Sequence, residues 1–151
     1  MSVDRSYVAR NNAERARLRA LVARLSDVEL AHPMPAGWTV AAILAHVAFW
    51  DQRILTLLES WERAGLDSPP PVLKEADVDW VNDAAKPMFL ALAPRRAAEL
   101  ALAIAEAVDR KVESLPDAWV AKNAAVGTPL SLVRAAHREE HVGEIERHLR
   151  R

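Results

Sequence analysis

An all-α four-helix bundle is the fold this 151-residue chain predicts, on three observations. β-Branched and aromatic residues never alternate with polar ones over the length of a strand, and only four glycines stand against many alanines. Apolar residues recur at helical spacing in four main stretches of roughly 20 residues, each about 30 Å long as a helix. Prolines and glycines gather between those stretches, where a chain must turn.

The first helix is predicted over about Arg5 to Leu25, with Val8, Leu18, Leu21, Val22 and Leu25 as its apolar stripe. Ser26-Asp27-Val28-Glu29 reads as a cap and short turn. The two prolines and the glycine of His32-Pro33-Met34-Pro35-Ala36-Gly37 then break any helix. Thr39 caps the second helix, in which Ile43, Val47, Trp50, Ile54, Leu57 and Trp61 follow at spacings of 4, 3, 4, 3 and 4, a bundle seam. Gly65 stops it. Leu66 to Glu75 is a linker carrying Pro69-Pro70-Pro71. Asp77 caps an extra helical stretch, Val78 to Leu92, kinked at Pro87. Pro94 opens the third main helix, Arg95 to Leu115. Its stripe is Leu100, Ile104, Val108 and Val112, with Ala97, Ala101 and Ala105 allowing close approach. Pro116 ends it, and Asp117 to Gly127 is irregular or short helix around Trp119. Thr128-Pro129, a capping hydroxyl followed by a first-turn proline, starts the last helix, which is predicted from Pro129 to about Arg150.

Composition narrows the function. The length suits a single domain over residues 1–151 with a core of its own, burying roughly 70% of the unfolded surface. No cysteine exists, so there is no disulfide, no thiolate ligand and no cysteine nucleophile; any metal must be held by His, Asp and Glu. A cysteine-free chain fits the cytoplasm. The net charge of −1 offers no overall attraction to a nucleic-acid backbone. The N-terminus lacks the apolar core of a secretory signal, and no run of about 18 apolar residues crosses a membrane.

Chemistry concentrates in the histidines: His32, His46, His137, His141 and His148. His137 and His141 stand four apart on one face of the last helix, a spacing that lets two imidazoles reach one ion. That face also carries Leu130, Val133, Ala136, Ile145 and Leu149, so both rings point toward the core. His46 lies at the border of the buried face of the second helix. Should the fold bring the two helices together, three neutral imidazoles converge on a site with open coordination positions. The competing reading is three packed, hydrogen-bonded histidines. His137-Arg138-Glu139-Glu140-His141 also fits the H-x-x-E-H string of inverted zinc proteases, a chance match in a chain this small. The Glu-x-x-His pairs of di-iron bundles are absent, since arginines stand three residues before both His137 and His141.

Gly37-Trp38-Thr39 leading into Leu44-Ala45-His46-Val47 and Trp50, with a late His137-x-x-x-His141, resembles the DinB-like superfamily of small four-helix-bundle proteins over nearly the whole chain. The resemblance implies an up-down-down-up bundle, often a homodimer. It implies that His46, His137 and His141 are metal ligands for Zn or Ni. It further implies a thiol-dependent transferase with a small-molecule substrate and a low-molecular-weight thiol as cosubstrate. In a related mycothiol-dependent maleylpyruvate isomerase branch, a Glu stands where this chain has His137.

Around that triad, Glu140 and Glu144 follow His137 and His141 by three residues and are candidates for an outer hydrogen-bond acceptor, a fourth ligand or a catalytic carboxylate. The alternative for both is a solvated charge paired with Arg147 or Arg138. Trp50, one turn from His46, is a candidate pocket wall, and Asp51 a candidate for the rim. Asp79, Trp80 and Asn82 are pocket candidates by resemblance, against a reading in which Trp80 packs and Asn82 caps a turn. Three functions follow: a metal-dependent enzyme activating a thiol or water, with S-transfer ahead of hydrolysis; a non-catalytic stress or ligand-binding bundle; and a structural dimer with buried neutral histidines.

Overall fold

The computed structural model describes residues 2–150. Its helices are α1 (Tyr7–Arg24), α2 (Asp27–Leu30), α3 (Val40–Ala64), α4 (Glu75–Ala91), α5 (Pro94–Ser114), α6 (Asp117–Ala125) and α7 (Ala135–Leu149). One antiparallel pair, β1 (Pro33–Met34) and β2 (Trp38–Thr39), closes across a short 3₁₀ turn where Ala36 and Gly37 have φ of 59° and 77°. The sequence pattern had shown only a helix break there.

Helices α1, α3, α5 and α7 form the bundle, and their side-chain contacts establish its direction. Tyr7 Oη donates to the Val112 carbonyl at 3.0 Å, while at the other end Arg95 Nη2 donates to the Leu25 carbonyl at 2.9 Å. α1 and α5 are therefore antiparallel. The first half of α3 packs with Ala97 to Ala105, and Ile54, Leu58 and Trp61 pack with Val108, Val112 and Leu115, so α3 and α5 are parallel. Asn11 meets the start of α7 and Arg17 pairs with Glu146 at 2.8 Å, so α1 and α7 are parallel. The order is up-down-down-up. A parallel α3/α5 pair needs a long return, and the proline-rich linker and α4 supply it, with α4 lying against α3.

Local signals account for most boundaries. Ser26 and Glu29 form a reciprocal capping box, Thr39 Oγ1 accepts from the Ala42 N–H at 3.0 Å, and Gly65 leaves α3 with φ of 100°. α3 is long and apolar enough, by length and composition, to cross a membrane, but 61% of that window is buried inside the fold. The expected cap at Asp77 is displaced: α4 begins at Glu75, and Asp77 Oδ1 accepts from Trp80 Nε1 at 2.9 Å.

The largest correction concerns the last helix. Thr128-Pro129 does not start it; α7 begins at Ala135. Thr128 takes φ of 52°, and Asn123 clips the loop, donating to the Leu130 carbonyl at 2.8 Å and accepting from the Leu130 N–H at 3.1 Å. The cap of α7 comes from another helix: buried Asn11 on α1 accepts from the N–H groups of Arg134 and Ala135 at 2.8 and 2.9 Å. A side chain 123 residues away thus does the work a local Ser or Thr does elsewhere.

Two apolar clusters share the bundle, one around Leu18, Leu44 and Ala101, the other around Leu58, Trp61 and Val108. Between them lies an ionic layer. Arg138, wholly buried on α7, donates to Asp51 Oδ2 on α3 at 3.1 Å and to Asp109 on α5 at 2.7 and 2.8 Å. Arg134 reaches Asp51 Oδ1 at 2.8 Å and Arg15 on α1 reaches Asp109 at 2.8 Å, so all four bundle helices contribute. Asp51 is fully buried here and not at a cavity rim, because two arginines hold it between the clusters.

Candidate metal centre

The ionic layer and the Asn11 cap fix where α7 sits along α3, and His46, His137 and His141 meet just beyond them. His137 Nε2 lies 3.0 Å from His46 Nε2 and 3.1 Å from His141 Nε2. The rings pack edge-on with centroids 4.6–4.9 Å apart. On the far side, His141 Nδ1 is 3.0 Å from Glu144 Oε2, whereas His46 Nδ1 and His137 Nδ1 are buried without a partner.

No arrangement of protons satisfies these nitrogens. Glu144 is a pure acceptor when ionised, so His141 keeps its proton on Nδ1 and offers a lone pair at Nε2. If His46 and His137 also protonate Nδ1, three lone pairs face one another. If either protonates Nε2, at most one hydrogen bond forms and a buried Nδ1 lone pair is stranded. A cation among the Nε2 atoms removes the repulsion. Imidazole ligands at 2.0–2.1 Å from one ion stand about 3 to 3.5 Å apart, which the two separations through His137 match, and all three ligating atoms lie within 4.8 Å of one another. Together the three residues can hold a metal ion.

Electrostatics favour the neutral, ligating form. Burial first, then His141, pushes His46 down to about 4. Burial, then His141 and His46, with Arg134 and Arg138 adding to it, pushes His137 down to about 3. Folded values below the unfolded one mean that the unfolded chain takes up protons first as pH falls. The metal-free protein therefore has its full stability from these groups above about pH 6.5, and loses it progressively toward pH 4. The expected result is a Tm that declines over that window in wild type and declines less in the His46→Ala/His137→Ala double variant. Equal slopes in thermal melts at stepped pH exclude the two histidines as the cause.

Two cavities open onto the triad. The larger, about 500 Å³, is lined by His46, His137, His141, Trp50, Leu73, Val78, Asn82, Arg134 and Glu140. The smaller, about 210 Å³, is lined by Trp38, Ile43, His46, Asn82, His141 and Glu144. With a His triad beside an open cavity, one ion keeps positions free for other ligands.

The sequence matches the DinB superfamily over residues 10–145, a span that takes in all three histidines, the whole of α3 and α5 and most of α1 and α7. The chain belongs to the DinB superfamily. No curated protein and no solved structure matches it.

In this DinB-superfamily protein the other candidate residues fall into three groups. Trp50 and Asn82 line the larger cavity and are joined to each other, Trp50 Nε1 donating to Asn82 Oδ1 at 2.8 Å, which ties α4 to α3 across the site. Glu140 stands exposed on the cavity's edge, and Glu144 contacts His141. Trp80 is not in the pocket: it is 59% exposed and bonds to Asp77 on the outer face of α4, pointing away because helix geometry sets positions 80 and 82 about 200° apart. Asp79 is exposed as well. Arg138 does not pair with the glutamates of its own helix, since Asp51 and Asp109 claim it from inside. His32 and His148 pair with each other, their ring centroids 5.5 Å apart and their planes tilted by 56°. Arg134, Trp38, Ile43, Leu73 and Val78 are the cavity residues that the sequence does not single out for the site.

Proposed function

We propose that this protein is a metal-dependent enzyme whose His46, His137 and His141 hold one Zn or Ni ion through Nε2, and that it transfers a low-molecular-weight thiol to an electrophilic small molecule. The observation that carries the reading is that His137 Nε2 lies 3.0 Å from His46 Nε2 and 3.1 Å from His141 Nε2, with all three ligating atoms within 4.8 Å of one another, in a cluster whose protons cannot be satisfied otherwise. Bound there, a divalent ion supplies a Lewis acid that lowers the pKa of a coordinated thiol or water.

The chain's own residues do the rest. Glu144 accepts the Nδ1 proton of His141 and so fixes that ring with Nε2 toward the ion. His46 and His137 are oriented by burial and packing instead, His46 lying edge-on to Trp38 with centroids 5.7 Å apart. Trp50, Leu73 and Val78 give the larger cavity an apolar wall that shields a nucleophilic anion from water. A volume of about 500 Å³ has room for a small-molecule reactant beside the ion, and transfer stands ahead of hydrolysis on the family resemblance.

The test begins with elemental mass spectrometry on gently purified protein beside His141→Ala. Close to one Zn or Ni per chain in wild type, lost in the variant, is expected, followed by metal-dependent thiol consumption against a panel of electrophiles. Metal-loaded protein without turnover on thiols, but with ester or amide cleavage, moves the reading to a hydrolase. No turnover at all leaves a metal- or ligand-binding bundle.

A further inference from the structure

The larger cavity has a cationic end. Arg134 lines it while only 6% exposed, with Nε committed to Asp51 at 2.8 Å and Nη1 to the Ser131 carbonyl at 3.4 Å. Its Nη2 has no hydrogen-bond partner among the described residues. Nor is it sealed off, as the partnerless histidine Nδ1 atoms are, so it keeps an opening to the cavity. Arg53, one turn beyond Trp50 on α3, lies with its guanidinium carbon 5.8 Å from the Trp50 ring centroid. It has no carboxylate partner among the described residues. Burial, and then Arg134, lower the Arg53 pKa, so the two cations feel each other; Arg53 is outside the cavity's lining and stands next to it through Trp50, which does line it.

Charge does not close without a guest. In the ionic layer Arg15, Arg134 and Arg138 face two carboxylates, Asp51 and Asp109, leaving one positive charge over. Arg53 adds a second. The acid in the cavity lining is Glu140, exposed at its edge, and Glu144 is turned to His141 in the smaller cavity. An anion accepting from Arg134 Nη2 gives that N–H a charge-assisted partner.

We infer that this end of the cavity is a seat for the carboxylate of a monoanionic substrate, accepting from Arg134 Nη2 and Arg53 with the substrate body along Trp50. The class of substrate is thus an organic acid whose reactive carbon faces the histidines. A carboxylate fits better than a phosphate because Glu140 at the edge offsets one of the two spare positive charges and repels a second negative charge. The inference rests on reading this cavity as the substrate site, but it concerns arginines alone and can be tested without metal.

The test uses metal-free protein and three probes, benzoate, its neutral isostere benzamide, and inorganic phosphate, followed by ligand-observed NMR and calorimetry. Benzoate is expected to bind in the millimolar range with little affinity for benzamide, and to weaken about tenfold in Arg53→Gln. Arg53 makes no ion pair among the described residues, so that variant keeps the bundle. Failure of benzoate to bind, equal binding of benzamide, tighter binding of phosphate, or an unchanged Arg53→Gln each overturns the carboxylate seat. Benzoate binding that needs added Zn²⁺ and vanishes in His46→Ala also overturns it, because the anion then sits on the ion. Loss of the metal reading shows separately, in the elemental content.

Discussion

His137→Ala is expected to abolish tight metal binding while leaving the helices formed. His137 is the hub of the cluster, since both short Nε2 separations run through it. Removing it leaves His46 and His141 as a two-ligand remnant with a methyl-lined gap. Loss of an outer hydrogen-bond partner costs a metal site about 10–100-fold in affinity, and loss of a ligand should exceed that. Glu144→Ala is the graded control, expected within that 10–100-fold range because it frees only the Nδ1 proton of His141. Ligand binding to the native state raises Tm by mass action, so a Zn²⁺ titration followed by melting reads the effect directly. Wild type should gain Tm with metal, Glu144→Ala should need more metal for the same gain, and His137→Ala should gain nothing. The metal-free His137→Ala protein should melt no lower than wild type below pH 6, because a buried imidazole that takes up its proton more readily in the unfolded chain has been removed. A variant that still binds near wild-type strength rules His137 out as a ligand.

What was readable in the sequence was what local physics determines. Thr39 and Gly65 bound α3 because a cap and a left-handed stop act within one turn. The seam from Ile43 to Trp61 marks a buried side of α3, but its first turns are buried all round, His46 with them and not at a border, while Trp50 and Leu57 of the seam are only partly buried. The i, i+4 pair His137 and His141 needs only a helix to share a face. What could not be read depends on partners far along the chain. The start of α7 is set by Asn11, and Thr128-Pro129, a good signal by itself, is overridden by the Asn123 clip. The ionic layer left one trace: Asp51 and Asp109 interrupt otherwise apolar faces on two helices, and Arg134 and Arg138 repeat at four residues on a third. Acids at core positions demand buried cations, but which helices face each other is needed before the pairs can be drawn. Trp80 was misplaced for a different reason, because nothing local says which side of α4 faces α3.

Arg138→Met should be the most destabilising single change in the protein. It leaves Asp51 and Asp109 buried, each with one arginine instead of two, at a cost of roughly 3–5 kcal/mol. At about 2–4 °C per kcal/mol for a chain of this size, Tm should drop by roughly 6–20 °C. Buried ion clusters are nonetheless poor sources of net stability, since desolvation offsets much of their attraction. The triple variant Asp51→Leu/Asp109→Leu/Arg138→Met should therefore recover most of what Arg138→Met loses. Arg15 can turn to solvent, and Arg134 keeps its opening to the cavity. The two variants then separate stability from registration. If the layer exists to lock α7 against α3, the triple variant melts near wild type yet binds metal about 10–100-fold more weakly, the penalty of a loosened ligand set. Full metal affinity in the triple variant denies the layer that role and leaves the Asn11 cap and the apolar clusters to place the histidines. The same comparison explains why the polar layer lies where it does, one helical turn from His46 on α3 and directly beside His137 on α7: the rigid, directional part of the bundle abuts the part that must hold three nitrogens within a few tenths of an ångström.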